Sequence, residues 1–417
     1  MIKVIEAFSG IGAQAKALKN ISVDYEIVNT IEWDINAIIA YDLIHNGKQN
    51  LSMYKNKSKD EMISILNKYT LSPDGKKPIT EKALRAYSSE YLQRLCSAME
   101  RTKNLASIVD VKANQLPEDV QLLTYSFPCQ DLSIGGAWHG NNSGIDRNAH
   151  NRSGMLWEVE RILKEYVELG KNLPSFLLME NVTNILSKTH EKNFKEWRDY
   201  LKSIGYFNQI YTLDASNFGI PQTRKRTYML SVLCENEAVR TKVSSYFDEN
   251  NLEKNQNNNG IKMKPLSKYL KLDYSNPSYR YEADLANQND TPSRRKIFED
   301  NIKLFDGTKI CSKTVKTITT KQDRNPNSGV LVYKEHKKGR SEYRTLTTRE
   351  CFMLMGFEEK DYQSLIDNDF LINNGRKFCS REKLVKMAGN SIVVNVLQEI
   401  FKQVDFINSN ILNIGSK

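Results

Sequence analysis

Apolar residues gather in short runs at 4–8, 26–32, 122–126, 176–180 and 227–233, each bounded by polar or turn-forming residues. Runs of this length read as strands buried on both faces. Between them, apolar positions recur at three- and four-residue spacing over 12–19, 35–44, 155–169 and 191–204, the period of a helix with one buried face. Strand–helix alternation of this kind predicts an α/β fold with a doubly wound, mostly parallel sheet. Near the C-terminus Ile392, Val393, Val396, Leu397, Ile400, Phe401 and Val404 form one apolar stripe, which predicts a helix packing back on the first lobe.

Two stretches break the rhythm. Residues 46–106 are rich in Lys and Ser with helix-like charge spacing and read as an insertion. From 234 to about 343 the chain turns polar and rich in Asn, Lys and Tyr, which predicts a smaller, irregular lobe with short strands. The expected division is a first domain of 1–233 with 380–417, and a second of 234–379. No internal repeat is found.

Composition narrows the picture. A chain of 417 residues can bury a full core in two lobes. No apolar run is long enough to span a bilayer, and the first eight residues read as a strand with Glu6 inside it rather than a signal peptide. The six cysteines (96, 129, 234, 311, 351 and 379) are scattered without CxxC or metal-ligand spacing, so free thiols in a reducing cytoplasm are expected and no metal is. A net charge of +10 favours a polyanionic partner.

Six motifs carry candidate chemistry, most of them beside a plainer reading. Phe8-Ser9-Gly10-Ile11-Gly12 follows the first strand and opens a helix; small residues there let a ligand approach the backbone, or simply make a tight turn. Glu32-Trp33-Asp34 ends the second strand, where an acid can bind ribose hydroxyls and Trp33 can stack on an adenine or fill the core. Cys129, in Pro128-Cys129-Gln130, sits at the carboxyl end of a strand, where open α/β sheets place their chemistry, although buried cysteines also pack as small hydrophobes. Glu180, in Glu180-Asn181-Val182, ends a strongly apolar strand and should have a raised pKa. In Gln222-Thr223-Arg224-Lys225-Arg226 the two arginines face the same way if the backbone is extended, which suits an anion or a solvated basic loop. Asp110-Val111 ends a further β-rich stretch and suits either an adenine amino group or a turn.

Taken in order, these motifs resemble those of the DNA cytosine-5 methyltransferases. The resemblance continues through Arg344-Thr345-Leu346-Thr347-Thr348-Arg349-Glu350 and Gly356-Phe357 to Gly389-Asn390-Ser391-Ile392. The insertion, and Leu123-Thr124-Tyr125-Ser126-Phe127 before the cysteine, resemble bacterial restriction–modification members. The resemblance implies a doubly wound mixed sheet of the S-adenosylmethionine-dependent methyltransferase type with a smaller, irregular target-recognition domain at 234–379.

It also implies roles. Cys129 would be the nucleophile that adds to C6 of a flipped cytosine, because C5 alone is a poor nucleophile. Glu180 would face N3 and the amino group, and Arg226, supported by Arg224, the carbonyl. S-adenosylmethionine would lie among Phe8, Gly10, Ile11, Gly12, Glu32, Trp33, Asp110, Val111, Pro128, Leu156, Asn390 and Ser391. DNA would meet Gln130, Ser133, Gln222, Thr317, Thr319 and Arg324. Partners would be double-stranded DNA and, functionally, a separate restriction endonuclease; the chain would be a monomer. An RNA-modifying enzyme on the same fold is the rival, disfavoured by the large second lobe. Adenine or cytosine-N4 methylation lacks its Pro-Pro motif here.

Overall fold

The computed structural model describes residues 1–412 except 130–131, 133–143, 148–151, 257–259, 326 and 374. Its main sheet has six strands in the order β2-β1-β3-β4-β6-β5, with β1 Ile2–Ala7, β2 Tyr25–Ile31, β3 Leu122–Tyr125, β4 Phe176–Val182, β5 Tyr206–Asp214 and β6 Lys225–Leu233. The pairs β1–β2, β1–β3 and β3–β4 are parallel, while β6 runs antiparallel to both β4 and β5. The sheet is therefore mixed. Strand side chains alternate between its two faces: Val4, Leu122, Phe176 and Leu178 join one core, and Ile5, Leu123, Leu177 and Met179 the other.

Strand β5 lies outside the runs expected from apolar patterning. It is an edge strand with half-buried Asn208 and Gln209 among its residues, so it has no continuous apolar signal. Helix α1 (Ala13–Asn20) and helix α2 (Ile35–His45) follow β1 and β2. The expected C-terminal helix forms over Val394–Ile407 and packs on α1.

The insertion is mostly helical, with Ser89–Arg101 packed along α2. Beyond β6 the chain builds a second sheet, β7-β10-β9-β8 (Asn287–Asn289, Arg340–Arg344, Val330–Val332 and Lys303–Phe305). The helix Glu237–Glu249 packs on β5 of the main sheet, whereas the second lobe holds helices at Pro277–Ala286 and Pro292–Glu299, more regular structure than the irregular lobe expected from composition. The Arg344-to-Glu350 motif is structural. Arg344 donates to both Glu350 oxygens, at 2.9 and 2.8 Å, with both side chains fully buried. Glu350 also accepts from the Thr347 N–H and closes a capping box on the helix Thr348–Leu354. The helix Glu359–Asp367 then packs on α2, and buried Lys16 of α1 pairs with Asp361 at 2.9 Å. No helix among the described residues is long and apolar enough to cross a membrane.

Candidate active site

A cavity of about 940 Å³ opens at the carboxyl ends of β1, β2, β3 and β4. This is where parallel strands leave room for a ligand. The turn after β1 forms one wall. Phe8 (φ +57°), Gly10 (φ +53°) and Gly12 (φ +77°) all adopt left-handed backbone, and Phe8 does so without glycine's freedom. The two glycines differ in purpose. A Cβ on Gly10 would meet nothing within 4 Å, so that residue faces open cavity. A Cβ on Gly12 would lie 2.2 Å from His45 Nε2, so Gly12 permits packing against α2 and does not line the cavity. His45 Nε2 in turn bonds the Ile11 carbonyl at 3.0 Å, and burial pulls its pKa down to about 4.

Glu32 anchors the next wall. Its carboxylate accepts from the Gly10 N–H at 3.0 Å and from the Asp34 N–H at 2.8 Å, tying the ends of β1 and β2 together. Burial, helped by the charge of Asp34, pushes its pKa up to about 7 against these hydrogen bonds. Trp33 lines the cavity beside it.

The chemistry-bearing groups meet at the far end. Cys129 follows β3, and its loop is held from two sides: Asn181 on β4 donates to the Phe127 carbonyl at 3.1 Å, and the Ser153 hydroxyl to the Pro128 carbonyl at 2.8 Å. Glu180 lies two rungs from Arg226 on the antiparallel pair β4–β6, where the register sets Glu180 opposite Tyr228 and Val182 opposite Arg226. Arg226 Nε comes within 3.4 Å of Glu180 Oε1. Burial pushes the Cys129 thiol up; Arg226 pulls it down and Glu180 pushes it further up. Burial likewise raises Glu180, opposed by Arg226 and then Arg224.

Arg224 has a different environment. It donates to the carbonyls of Ile318 (2.8 Å), Gly389 (3.2 Å) and Ser391 (2.9 Å), and burial lowers its pKa to about 9. It clips the start of β6 to the second lobe and to the Gly-Asn-Ser turn. Gly389 completes this joint, since a Cβ there would stand 2.4 Å from the Thr319 backbone carbon.

The cavity thus brings together Phe8, Gly10, Ile11, Glu32, Trp33, Pro128, Cys129, Glu180, Arg224, Arg226, Arg324, Asn390 and Ser391. Other expected positions lie elsewhere. Asp110 is exposed and Val111 buried, neither lining the cavity; Ser107, Ile108 and Val109 form that wall instead, a slip of about three residues. Leu156 is buried in the core and Met155 takes its place at the wall. Gln222 is fully buried: it donates to the Leu354 carbonyl and accepts from the Ile318 N–H, both at 2.9 Å, so it serves the joint between lobes and offers no surface to DNA. Thr317 and Thr319 donate their hydroxyls to the Thr223 and Lys321 carbonyls and are not cavity residues. Gln130 and Ser133 lie outside the described residues. Sequence reading missed Asn181, Ser153, Gln288, Arg340 and Lys386; only Asn181, inside a quoted motif, carried a signal.

The residue types present suit an adenosyl sulfonium: a glycine with open space at its α-carbon, a carboxylate at a strand end, and an indole beside it. Comparison with known proteins agrees in family and fold. Residues 76–405 match the family described as C-5 cytosine-specific DNA methylase. The chain is 32% identical over 412 residues to the orphan methyltransferase M.SssI of Spiroplasma monobiae, covering 97% of both. It is 30% identical over 408 residues to the type II methyltransferase M2.ScrFI of Lactococcus lactis subsp. cremoris, covering 97% of this chain and 99% of that one. The crystal structure of S. pombe Dnmt2 methyltransferase shares the fold, with a TM-score of 0.58 at 18% identity over 98% of this chain and 100% of that one.

Proposed function

The chain belongs to the C-5 cytosine-specific DNA methylases, and from that membership we propose that it transfers the methyl group of S-adenosylmethionine to C5 of a cytosine flipped out of one short sequence in double-stranded DNA. The observation that carries this reading is one cavity holding Cys129, Glu180 and Arg226 at one end and Gly10, Glu32 and Trp33 at the other. When bound, S-adenosylmethionine supplies an electrophilic methyl group on a sulfonium. Phe8, Gly10, Ile11, Asn390 and Ser391 would surround its amino-acid end, Glu32 its ribose, and Trp33 with Ile108 its adenine.

The protein's own groups do the rest. Cys129 Sγ adds to cytosine C6, and the ring electrons shift so that C5 becomes nucleophilic. Glu180, whose carboxyl burial pushes up, donates a proton at N3 as charge builds there. Arg226 holds the carbonyl and keeps the thiolate accessible by its charge. Once C5 carries the methyl group, its proton passes to water, the C6–Sγ bond breaks to release the Cys129 thiolate, and the N3 proton returns to Glu180, which restores the ring. A stacked base cannot reach Cys129, so the cytosine must leave the duplex.

Target recognition falls to 234–379. From that region Leu285, Gln288, Arg324 and Arg340 line the cavity beside the catalytic end, and arginine and amide groups suit base edges and phosphates. The type II name of M2.ScrFI supports a place in a restriction–modification system, with cleavage by a separate endonuclease and this chain acting in the cytoplasm as a monomer. Base-resolution bisulfite sequencing of a methylation-free host expressing the chain tests the proposal. Protected cytosines in one motif, absent with Cys129→Ala, are expected; an unmethylated genome with soluble protein would overturn it.

A further inference from the structure

Apart from its last residue, Ala106, the insertion reaches the cavity at the loop around Asp74-Gly75-Lys76. The loop is laced to the end of β2. The Ser72 N–H donates to the Trp33 carbonyl at 2.7 Å, the Ser72 carbonyl accepts from Ile35 at 3.0 Å, and the Asn36 amide donates to the Pro73 carbonyl at 2.9 Å. The Ser72 hydroxyl donates to the Lys77 carbonyl at 2.6 Å and closes the loop on itself. Its tip lies on the indole: a Cβ at Gly75 (φ +69°) would stand 3.6 Å from Asp34 Oδ2 and 3.9 Å from Trp33 Nε1.

Lys386, on the helix Arg381–Asn390, grips this assembly from the opposite side. Its Nζ donates to Asp34 Oδ2 and to the Asp74 carbonyl, each at 2.7 Å. One ammonium therefore joins three segments of the cavity wall: the end of β2, the insertion, and the helix that runs into Gly389-Asn390-Ser391. Asp34 is well shielded, with 14% of its side chain exposed against 32% for Lys386, so this is more than a solvated surface pair.

We propose that Lys386 is a positioning residue that pins the 72–77 loop over Trp33 and makes the insertion the outer wall of the methyl-donor pocket. The inference rests on the donor reading above. On this view the insertion holds the adenosine end of the donor, remote from DNA.

The test uses the full chain with S-adenosylhomocysteine as probe. Lys386→Met is expected to bind it about 10-fold more weakly by calorimetry, the loss of a charge-assisted hydrogen bond, and Lys386→Arg to recover most of that. KM for the donor should rise by a larger factor than kcat falls, and hydrogen exchange at 71–77 should quicken in the ligand-free Met variant. Gly75→Val, which strains the loop tip without touching Lys386, should weaken binding in the same direction, and it serves if the Met variant misfolds. Unchanged affinity in either folded variant, or unchanged exchange at 71–77 in the Met variant, overturns the inference. Wild-type chain that binds no S-adenosylhomocysteine sinks the donor reading itself, while exchange at 71–77 still reports whether Lys386 holds the loop.

Discussion

Arg226 Nε lies 3.4 Å from Glu180 Oε1 across the antiparallel strands β4 and β6, and both groups act on the Cys129 thiol with opposite sign. The arrangement keeps a cation, an acid and a nucleophile within one buried space. The protonation of Cys129 therefore depends on both of the others, and that of Glu180 on Arg226.

That dependence predicts the pH profile of Cys129. Burial and Glu180 push its pKa above the ordinary thiol value, so the free enzyme holds little thiolate near neutrality. Alkylation by iodoacetamide should rise with pH along a curve displaced upward from that of a small-molecule thiol. Arg226→Ala removes the cation that pulls the pKa down, so its curve moves to still higher pH. Glu180→Gln removes the charge that raises it, so its curve moves lower. Peptide mapping of the Cys129 adduct against pH separates the three; coincident curves would contradict the coupling.

The two arginines of Gln222-Thr223-Arg224-Lys225-Arg226 should fail differently. Arg224→Ala strips the partner from three carbonyls that join the two lobes, and should cost roughly 3 kcal/mol of stability together with activity. Arg226→Ala touches only its pairing with Glu180 and its own strand, so the variant should unfold near the wild-type midpoint yet turn over at least about 100-fold more slowly. Urea unfolding beside single-turnover assays reads both.

Much of this was legible beforehand, for identifiable reasons. Five strands of the main sheet were readable because each carries an apolar run, including β6, which is antiparallel to its neighbours yet buried along most of its length. β5 was not, because an edge strand half exposed to water keeps Asn208 and Gln209 among its residues. The second lobe looked irregular because its composition is polar. Yet the helix Pro277–Ala286 carries Asn276 as its N-cap with Pro277 behind it, and Pro292–Glu299 does the same with Thr291. Those were local start signals that composition outweighed. The Gln222 motif was found, but its burial was invisible: a glutamine serving two backbone groups across a domain joint looks the same in sequence as one facing DNA. The pairing of Lys386 with Asp34 spans 352 positions and has no sequence signal.

Glu6 predicts a stability profile that falls toward alkaline pH. It is fully buried on β1 beside Tyr41, and burial pushes its pKa up to about 7 from an ordinary 4.5. A raised folded-state pKa adds stability that is complete below the unfolded value and is lost as pH rises through the folded one. The loss therefore runs from about pH 4.5 to 7 and amounts to about 3 kcal/mol for Glu6. Glu32 adds a contribution of the same sign, and His45, lowered to about 4, one of opposite sign on the acid side. Glu6→Gln should match wild type near pH 4, below the unfolded value, and exceed it in urea unfolding at pH 8. Equal stabilities at pH 8 would mean that Glu6 is not the group responsible.

The register of the adenine-side wall gives the last prediction. Sequence reading placed Asp110 and Val111 there, across an insertion that loosens any alignment, whereas the cavity is lined by Ser107, Ile108 and Val109. Ile108 is 5% exposed and joins the core that backs β1 and β3, so its side chain stiffens the wall as well as lining it. Ile108→Ala should remove apolar contact worth roughly 1–2 kcal/mol and weaken S-adenosylhomocysteine about 5- to 30-fold. Asp110 is exposed, and its N–H bonds the Ser107 carbonyl through the backbone, which any residue can do. Asp110→Ala should therefore bind the probe within about 2-fold of wild type, inside the range of a surface substitution. Calorimetry on the two variants decides the register: a large loss at Asp110 with none at Ile108 would restore the sequence-based placement and require the wall to shift by one turn when the donor binds.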